Sequence, residues 1–312
     1  MNANQSWESS RRGFLRLSLA AAGTWGLARW GFASASAADE SSSTSETLVG
    51  SNVYGWTQYF QREGRAFDVQ EVMQALRDAG YDYLEGSMDV ANPENNARFA
   101  EQLKAHELKP VSIYTGARLH EAAPARESIQ KILAAAKICR QAGFRMISCN
   151  PDPIGREKTD EELTIQAAAL NDLGRGLKEL GLRIAVHHHL PEMASKAREF
   201  HAMFRNTDPD LVGFCYDVHW LFRGGHKPSE VLPEYGRRIV SWHLRQSRGG
   251  IWHETLDTGD VDYGQVADYA REHRLPRVFT VEMAMEQGTQ ITRSAFANHR
   301  LSREFVRKVF SA

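Results

Sequence analysis

Four short apolar runs of this chain end in the same way, with a small residue followed two positions later by an acidic or imidazole side chain. The runs are Ala185-Val186-His187, Cys215-Tyr216-Asp217, Ser241-Trp242-His243 and Thr280-Val281-Glu282. Residues two apart in a strand share a face, so each small residue and its polar partner point one way while the large residue between them points the other. The pattern predicts parallel strands of a barrel whose polar side chains converge at one end.

Strand-like runs alternate with helix-like runs from Leu48 onward. The predicted strands are Val53–Thr57, Tyr81–Gly86, Pro110–Thr115, Arg145–Asn150, Arg183–His189, Leu211–Asp217, Ile239–Arg245 and Val278–Met283. The predicted helices are Val69–Ala79, Pro93–His106, Arg126–Ala142, Asp160–Leu180, Ala194–Arg205, Ser229–Tyr235, Tyr263–His273 and Arg293–Phe310. This alternation matches the count and length of a (β/α)₈ TIM barrel, an α/β fold. A doubly wound open sheet is the alternative, but no glycine-rich dinucleotide motif follows the first predicted strand.

The N-terminal residues are typical of an export signal rather than of a folded domain. Arg11 and Arg12 precede Gly-Phe-Leu and a short apolar stretch, and residues 33–38 offer small-residue cleavage sites. We therefore assign 1–38 as a twin-arginine-type signal peptide, 39–50 as a polar linker and 51–312 as a single barrel domain. The assignment implies that the twin-arginine export machinery is a partner and that the mature protein is periplasmic or extracellular. The alternatives are a basic tail or a membrane anchor, but the apolar stretch is too short for a stable membrane span.

Composition narrows the classes of partner. The net charge is −1 and 42% of the residues are hydrophobic, which indicates an ordinary globular protein without the positive field that nucleic-acid binding needs. Cys139, Cys149 and Cys215 fall within predicted helices or strands, which favours buried thiols over a disulfide framework. Twelve histidines is a high count, and several of them fall at predicted strand ends, which suits a metal enzyme.

Ligand-type side chains gather at the predicted strand ends. A set made of His187, Asp217, His243 and Glu282 predicts a divalent metal site, because isolated buried charges are costly and a cation offsets them. Carboxylate and imidazole ligands suit Mn²⁺, Mg²⁺, Co²⁺ or Zn²⁺ and do not choose among these ions. Taken singly, each residue could instead be a barrel-core polar group satisfied by a neighbour. Further polar residues at predicted strand ends are Glu85, Tyr114, Asn150, His189 and Arg245.

Several segments, taken together, carry a resemblance to a known family. They are Gly80-Tyr-Asp-Tyr-Leu-Glu85, Ala185-Val-His-His-His189, Val212-Gly-Phe-Cys-Tyr-Asp217, Tyr235-Gly-Arg-Arg-Ile-Val-Ser-Trp-His-Leu244 and Val278-Phe-Thr-Val-Glu282. From about Ser51 to its C-terminus the chain resembles the xylose isomerase-like barrels, or sugar phosphate isomerases and epimerases. The resemblance implies a divalent ion held by Glu, Asp, His and Glu from strands 5 to 8.

Three of those four ligand positions match the family and one departs from it. Asp217, His243 and Glu282 match, whereas His187 stands where the family usually has Glu. A subgroup with a Tyr-His-Asn-His segment, which includes inosose-dehydratase-like and related exported proteins, is more similar there. Either His187 or His189 is then the fourth ligand, and one negative charge and one potential base are lost.

The departure bears on the reaction that the resemblance implies. That reaction is a metal-dependent isomerisation or epimerisation of a keto-sugar, polyol or cyclitol through an enediolate, with Glu282, His189 and Glu85 as catalytic candidates. With one ligand carboxylate fewer, a mechanism with one base and a separate acid is easier to build than one with two bases. His189 or His253 is the candidate acid, and such a mechanism is that of a lyase or hydratase. Two further hypotheses are a non-catalytic exported sugar-binding barrel and a DNA-repair nuclease of the same superfamily, and the near-neutral charge argues against the latter.

Residues next to the predicted ligands suit a polyol substrate. The substrate-binding candidates are Asn150, His219, Trp220, Arg245, Gln246, His253 and Glu254. Trp220 offers a stacking face and Arg245 offers hydrogen-bond donors. For the loop around His253, the alternative to substrate binding is a purely structural role. The sequence specifies neither the substrate, nor the ion, nor the oligomeric state.

Overall fold

The computed structural model describes residues 46–310. Its strands are β1 (Leu48–Asn52), β2 (Tyr83–Ser87), β3 (Ser112–Ala117), β4 (Met146–Pro151), β5 (Arg183–Val186), β6 (Val212–Asp217), β7 (Ile239–Leu244), β8 (Ser247–Arg248), β9 (Ile251–Trp252) and β10 (Val278–Val281). Its α-helices are α1 (Val53–Arg62), α2 (Val69–Asp78), α3 (Glu94–Ala105), α4 (Ala122–Ala142), α5 (Asp160–Glu179), α6 (Ala194–Arg205), α7 (Val218–Arg223), α8 (Pro228–Tyr235), α9 (Tyr263–Glu272) and α10 (Ala295–Val309). The predicted signal peptide, 1–38, and positions 39–45 of the predicted linker lie outside the described residues.

Eight parallel strands close into a barrel in the order β1-β10-β7-β6-β5-β4-β3-β2. The remaining two strands, β8 and β9, form a small antiparallel hairpin in the loop that follows β7. The predicted TIM barrel is therefore confirmed. Because every barrel strand runs in the same direction, the C-terminal strand ends all meet at one mouth.

The first strand lies earlier in the sequence than predicted. Val53–Thr57 was expected to be a strand but belongs to α1, whereas β1 occupies Leu48–Asn52, of which residues 48–50 were assigned to the linker. Gly50 lies at the centre of β1 because a Cβ atom there would come within 2.3 Å of the Tyr83 ring on β2. A glycine and a serine in mid-strand resemble a turn in the sequence, and only the neighbouring strand shows why they are needed.

The alternation of small and large residues along the strands matches two separate apolar cores. Ala185 and Cys215 belong to a small cluster inside the barrel. Tyr216, Trp242 and Val281 belong to the large cluster between the strands and the helices. The inward register predicted for the polar strand ends follows from the same alternation.

Helix ends position the loops at both ends of the barrel. Thr159 and Glu162 form a reciprocal capping box at the start of α5. Gly80, Gly143 and Gly181, predicted to follow helices, all have positive φ angles and lead into the next strand. Among residues 46–310, none of the helices combines the length and the apolar character that a membrane span needs.

Candidate metal centre

Four ligand-type side chains converge at the barrel mouth. His187 follows β5, Asp217 ends β6, His243 lies near the end of β7 and Glu282 follows β10. One ligand atom from each lies within 4.8 Å of the others, and all four residues are buried. Neighbouring strands bring them together, since Asp217 pairs with His243 and His243 pairs with Thr280, two residues before Glu282.

The His187 ring is oriented by two polar neighbours. Its Nδ1 lies 3.3 Å from Oδ1 of Asn150, and its Nε2 lies 3.2 Å from Oδ2 of Asp217. An amide oxygen can only accept, so the Nδ1–H donates to Asn150 and leaves the Nε2 lone pair on the side of Asp217. This is the arrangement that a metal-binding imidazole needs.

Asp217 has two different environments for its two oxygens. Oδ1 accepts hydrogen bonds from the backbone nitrogens of His219 at 3.0 Å and Trp220 at 2.8 Å, and so caps the N-terminus of α7. Oδ2 lies on the side of His187. One residue thus fixes the start of a helix and presents an oxygen to the cluster.

His243 lies between two carboxylates. Its Nε2 is 3.1 Å from Oε1 of Glu85 and its Nδ1 is 3.3 Å from Oε2 of Glu282. Among the described residues neither nitrogen has a partner with hydrogen-bond geometry. Burial lowers the pKa of His243, but Cys215 and Glu85 act in the opposite direction, and the resulting pKa is well above the ordinary value.

Glu282 is held from two sides. The Asn52 amide donates to Oε2 at 2.7 Å, and the Arg245 guanidinium pairs with Oε1. The guanidinium also lies 3.7 Å from the centre of the Trp252 ring, in cation–π contact. Burial lowers the pKa of Arg245 to about 10, so it remains charged at neutral pH.

The cluster fits a divalent cation. Asp217 and Glu282 are buried members of it, Glu85 is buried against His243, and the buried Arg245 pairs with Glu282. Three buried carboxylates outnumber the positive charges of Arg245 and of a protonated His243, and in a medium of low dielectric constant a cation offsets the remaining negative charge. His187, Asp217, His243 and Glu282 would hold it, with oxygen and nitrogen donors of the kind that Mn²⁺, Co²⁺ and Zn²⁺ accept.

The three consecutive histidines after β5 have three different positions. His187 joins the cluster, and His188 packs against Phe200 and Phe214 in the outer core, where burial lowers its pKa to about 4. His189 is partly exposed at the mouth, with its ring 4.6 Å from that of His187. His189 is therefore the histidine of the three that a substrate could reach.

A buried carboxylate supports the His189 backbone. Oε2 of Glu192 accepts a hydrogen bond from the His189 backbone nitrogen at 2.7 Å. Burial and the neighbouring Glu199 raise the pKa of Glu192 to about 7. The Trp220 ring lies edge-on to the His189 ring, with 5.7 Å between their centres. The imidazole of His189 and the indole of Trp220 therefore border the same part of the mouth.

Some predicted substrate-binding residues are engaged elsewhere. The Gln246 amide bonds to backbone groups of its own loop, at Asp257 and Val261. Glu254 accepts hydrogen bonds from the segment before α10, at Thr292 and Arg293. Through these contacts both residues stabilise loops around the mouth, and substrate binding by either of them stays a prediction.

Two further substrate-binding candidates, His219 and His253, differ in their exposure. His253 contacts Thr255 within the same loop and is partly exposed. His219 is buried, and its Nε2 lies 2.9 Å from the Ser247 hydroxyl. Burial lowers the pKa of His219 to about 3.

Three residues of the site were missed in the sequence. Asn52 contacts Glu282, the Ser112 hydroxyl donates to Glu85, and Cys215 lies beneath Asp217. Asn52 would have been found at a strand end had β1 been placed correctly. Cys215 was noted as the small residue of its strand, but its thiol was not considered as a ligand.

Known proteins share parts of the sequence and the fold of this chain. A family model described as xylose isomerase-like TIM barrel matches residues 73–308. Over 102 residues the chain is 36% identical to inosose dehydratase of Clostridium tetani, a match that covers 32% of this chain and 34% of that protein. Over 169 residues it is 27% identical to inosose dehydratase 2 of Bacillus cereus, covering 50% and 56% respectively. The matches thus span from about a third to just over half of these relatives.

Solved structures share the fold over most of the chain. A sugar phosphate isomerase/epimerase from Parabacteroides distasonis aligns with a TM-score of 0.68 at 18% identity, covering 86% of this chain and 96% of that one. At such an identity the similarity establishes a common barrel and no more.

Proposed function

The chain belongs to the xylose isomerase-like TIM barrel family, and on that basis we propose that it is a divalent-metal-dependent enzyme of sugar metabolism that removes a proton next to the carbonyl of a keto-cyclitol or keto-sugar and eliminates water. The observation that carries the proposal is the convergence of His187, Asp217, His243 and Glu282 within 4.8 Å at the barrel mouth. The inosose dehydratases among its relatives support the choice of elimination.

The bound cation would polarise the substrate carbonyl and make the neighbouring C–H bond more acidic. Glu282 accepts the carbon-bound proton, since its carboxylate lies at the mouth and is held in place by Asn52 and Arg245. His189 donates a proton from its ring to the departing hydroxyl, because it is the partly exposed histidine beside the ligands. One base and one separate acid are sufficient for loss of water.

Glu85 has a positioning role in this proposal rather than a proton-transfer role. Its side chain is buried, its Oε1 faces His243 and its Oε2 accepts from Ser112. A carboxylate behind a metal-binding imidazole fixes the ring and increases its basicity. Proton transfer by Glu85, which the sequence also suggested, stays a prediction beside this positioning role.

Epimerisation or isomerisation is the second candidate. It requires a second group that exchanges a proton with the enediolate, and His189 beside the cluster is such a group. The two reactions share the first proton transfer and differ in the fate of the intermediate, which either loses hydroxide or is protonated again on carbon.

One experiment separates the candidates. The metal-loaded protein is incubated in D₂O with inososes, free ketoses and 3-keto-glycosides. Loss of water with an absorbing enone supports the dehydratase, and deuterium incorporation without loss of water supports the epimerase. No reaction, together with no bound metal in wild type and no change in metal content or thermal stability in His243→Ala, would contradict both.

We further propose that residues 1–38 direct export by the twin-arginine pathway. Support comes from Arg11 and Arg12 ahead of the apolar stretch. A reporter fused to these residues should reach the periplasm, and Arg11→Lys with Arg12→Lys should retain it in the cytoplasm. Export that is unaffected by the double substitution would contradict this route.

A further inference from the structure

Cys215 lies two residues before Asp217 on β6, and its thiol belongs to the same buried cluster as two of the proposed ligands. Sγ of Cys215 and one ring nitrogen each of His187 and His243 lie within 4.8 Å of one another. Residues two apart on a strand share a face, so Cys215 points into the barrel beneath Asp217. All three side chains are buried.

The histidine pair is therefore common to two ligand sets. In the outer set it is joined by the carboxylates of Asp217 and Glu282, and in the deeper set by the thiol of Cys215. Oxygen-rich sets suit Mn²⁺ and Mg²⁺, whereas a thiolate with two imidazoles suits Zn²⁺ and Co²⁺. Three protein ligands with an open fourth position is a known arrangement for zinc.

The surroundings of the deeper set are consistent with a bound ion. Cys215 packs among apolar side chains inside the barrel, which on their own would keep it an inert thiol. Neither ring nitrogen of His243 has an aligned hydrogen-bond partner among residues 46–310, although the side chain is buried. Poorly aligned contacts compensate the burial of a polar group only in part, and coordination of a cation offsets the remaining cost.

We propose that the metal centre has a second, deeper cation position, formed by His187, the Cys215 thiolate and His243, which prefers Zn²⁺ over Mn²⁺ and Mg²⁺. On binding, a sulfur–metal bond replaces the S–H bond and the proton passes to water. The two positions share both imidazoles, so one chain binds one ion at a time and Zn²⁺ competes with the ion of the outer set. The inference rests on the metal site of the proposed function, but not on its reaction.

Cobalt absorption tests the deeper position. Metal-free wild type, Cys215→Ser and Cys149→Ser are titrated with Co²⁺ under anaerobic, reducing conditions, because a cobalt–thiolate bond absorbs in the near ultraviolet and oxygen or nitrogen ligands do not. Cys149 is the matched control, a fully buried barrel thiol that is not in the ligand cluster. We expect the band in wild type and Cys149→Ser, and its loss in Cys215→Ser.

Competition between metal ions gives a second test of the deeper position. In Cys215→Ser the affinity for Zn²⁺ should fall on the order of 10-fold or more, whereas the affinity for Mn²⁺ should hardly change. Co²⁺ binding without a thiolate band in wild type, or a band retained in Cys215→Ser, would overturn the deeper position and leave the proposed function standing. If wild type binds no Co²⁺, Zn²⁺ or Mn²⁺, both fail.

Folding of the variant is checked by circular dichroism and thermal unfolding. If Cys215→Ser does not fold, Cys215→Ala takes its place, since alanine brings no hydroxyl into the apolar cluster. Wild type alone can also overturn the proposal, because the absence of its cobalt–thiolate band requires no variant.

Discussion

The two carboxylates on either side of the His243 ring differ in what they can reach. Glu85 lies behind the ring and is held by the Ser112 hydroxyl, whereas Glu282 lies at the mouth beside Arg245. Substitution can separate the two roles, because a residue that orients a ligand changes metal affinity whereas a residue that moves a proton changes turnover.

Glu85→Gln should lower the affinity for Mn²⁺ by about 10- to 100-fold while turnover at saturating metal changes little. The reason is that the amide keeps the shape of the side chain but loses the charge that faces His243 Nε2. Calorimetric titration and steady-state kinetics measure the two quantities, with Ser112→Ala as a milder change to the same contact. Lost turnover with unchanged affinity would return Glu85 to a catalytic role.

The sequence predicted that four ligand-type side chains converge, because each lies at a strand end with a small residue two positions before it. It left open whether His187 or His189 is the fourth ligand and gave His188 no role, because the three histidines differ by the direction in which each ring leaves the end of β5. Those directions depend on packing against residues far away in the chain, such as Phe200 and Asn150. Strand periodicity carries no such information once the strand has ended.

At the scale of single elements, the short helix α7 depends on a proposed metal ligand. Asp217 caps it through Oδ1 and faces His187 through Oδ2. Asparagine caps a helix as well as aspartate does but is a neutral ligand, whereas alanine can neither cap the helix nor bind a metal ion.

In the metal-free state, Asp217→Asn should therefore be more stable than Asp217→Ala by about 1 kcal/mol. Both variants should lose most of their metal affinity, by at least about 100-fold, since a ligand matters no less than its supporting residues. Urea unfolding in the presence of chelator measures the first effect and metal titration the second. Equal stabilities of the two variants would show that the cap contributes nothing. A metal affinity of Asp217→Asn equal to that of wild type would remove Asp217 from the ligand set.

The same scale shows why the start of α1 was predicted to be the first strand. Val53-Tyr-Gly-Trp-Thr57 is rich in β-branched and aromatic residues, which favour strands when considered locally. In the structure Trp56, Tyr59 and Phe60 lie on one buried helical face, and this packing overrides the local preference. Long periodic helices such as α5, by contrast, were predicted almost to the residue.

At the scale of the whole molecule, the loop after β7 is tied to the C-terminal segment by Glu254. Its carboxylate accepts from Thr292, Arg293 and Asn298, the last of which lies on α10. Glu254→Gln should destabilise the protein by about 1–3 kcal/mol and leave KM unchanged. Urea unfolding and kinetics measure both quantities, with the exposed Glu272→Gln as control. A raised KM without lost stability would favour the predicted substrate contact.

Buried neutral histidines also make the stability of the whole fold depend on pH. His299 on α10 stacks on Trp56 at 4.1 Å, donates from Nδ1 to the Ala295 carbonyl at 2.8 Å, and has its pKa lowered by burial to about 4. Its ordinary value is 6.5, so between these two values the unfolded chain binds the proton and the folded one does not. The contribution is complete above pH 6.5 and is lost as the pH falls towards 4.

His299→Phe keeps a ring against Trp56 and removes this titration. Between about pH 7 and about pH 5, wild type should lose about 2 kcal/mol of unfolding free energy through His299, and the variant should lose that much less. The variant also loses the bond to Ala295, which lowers its curve at every pH without changing the slope. Urea unfolding with chelator present removes any contribution from metal binding, and His188 and His219, which remain in both proteins, cancel in the difference. Parallel curves for the two proteins would mean that His299 takes up its proton in the folded state as readily as in the unfolded one.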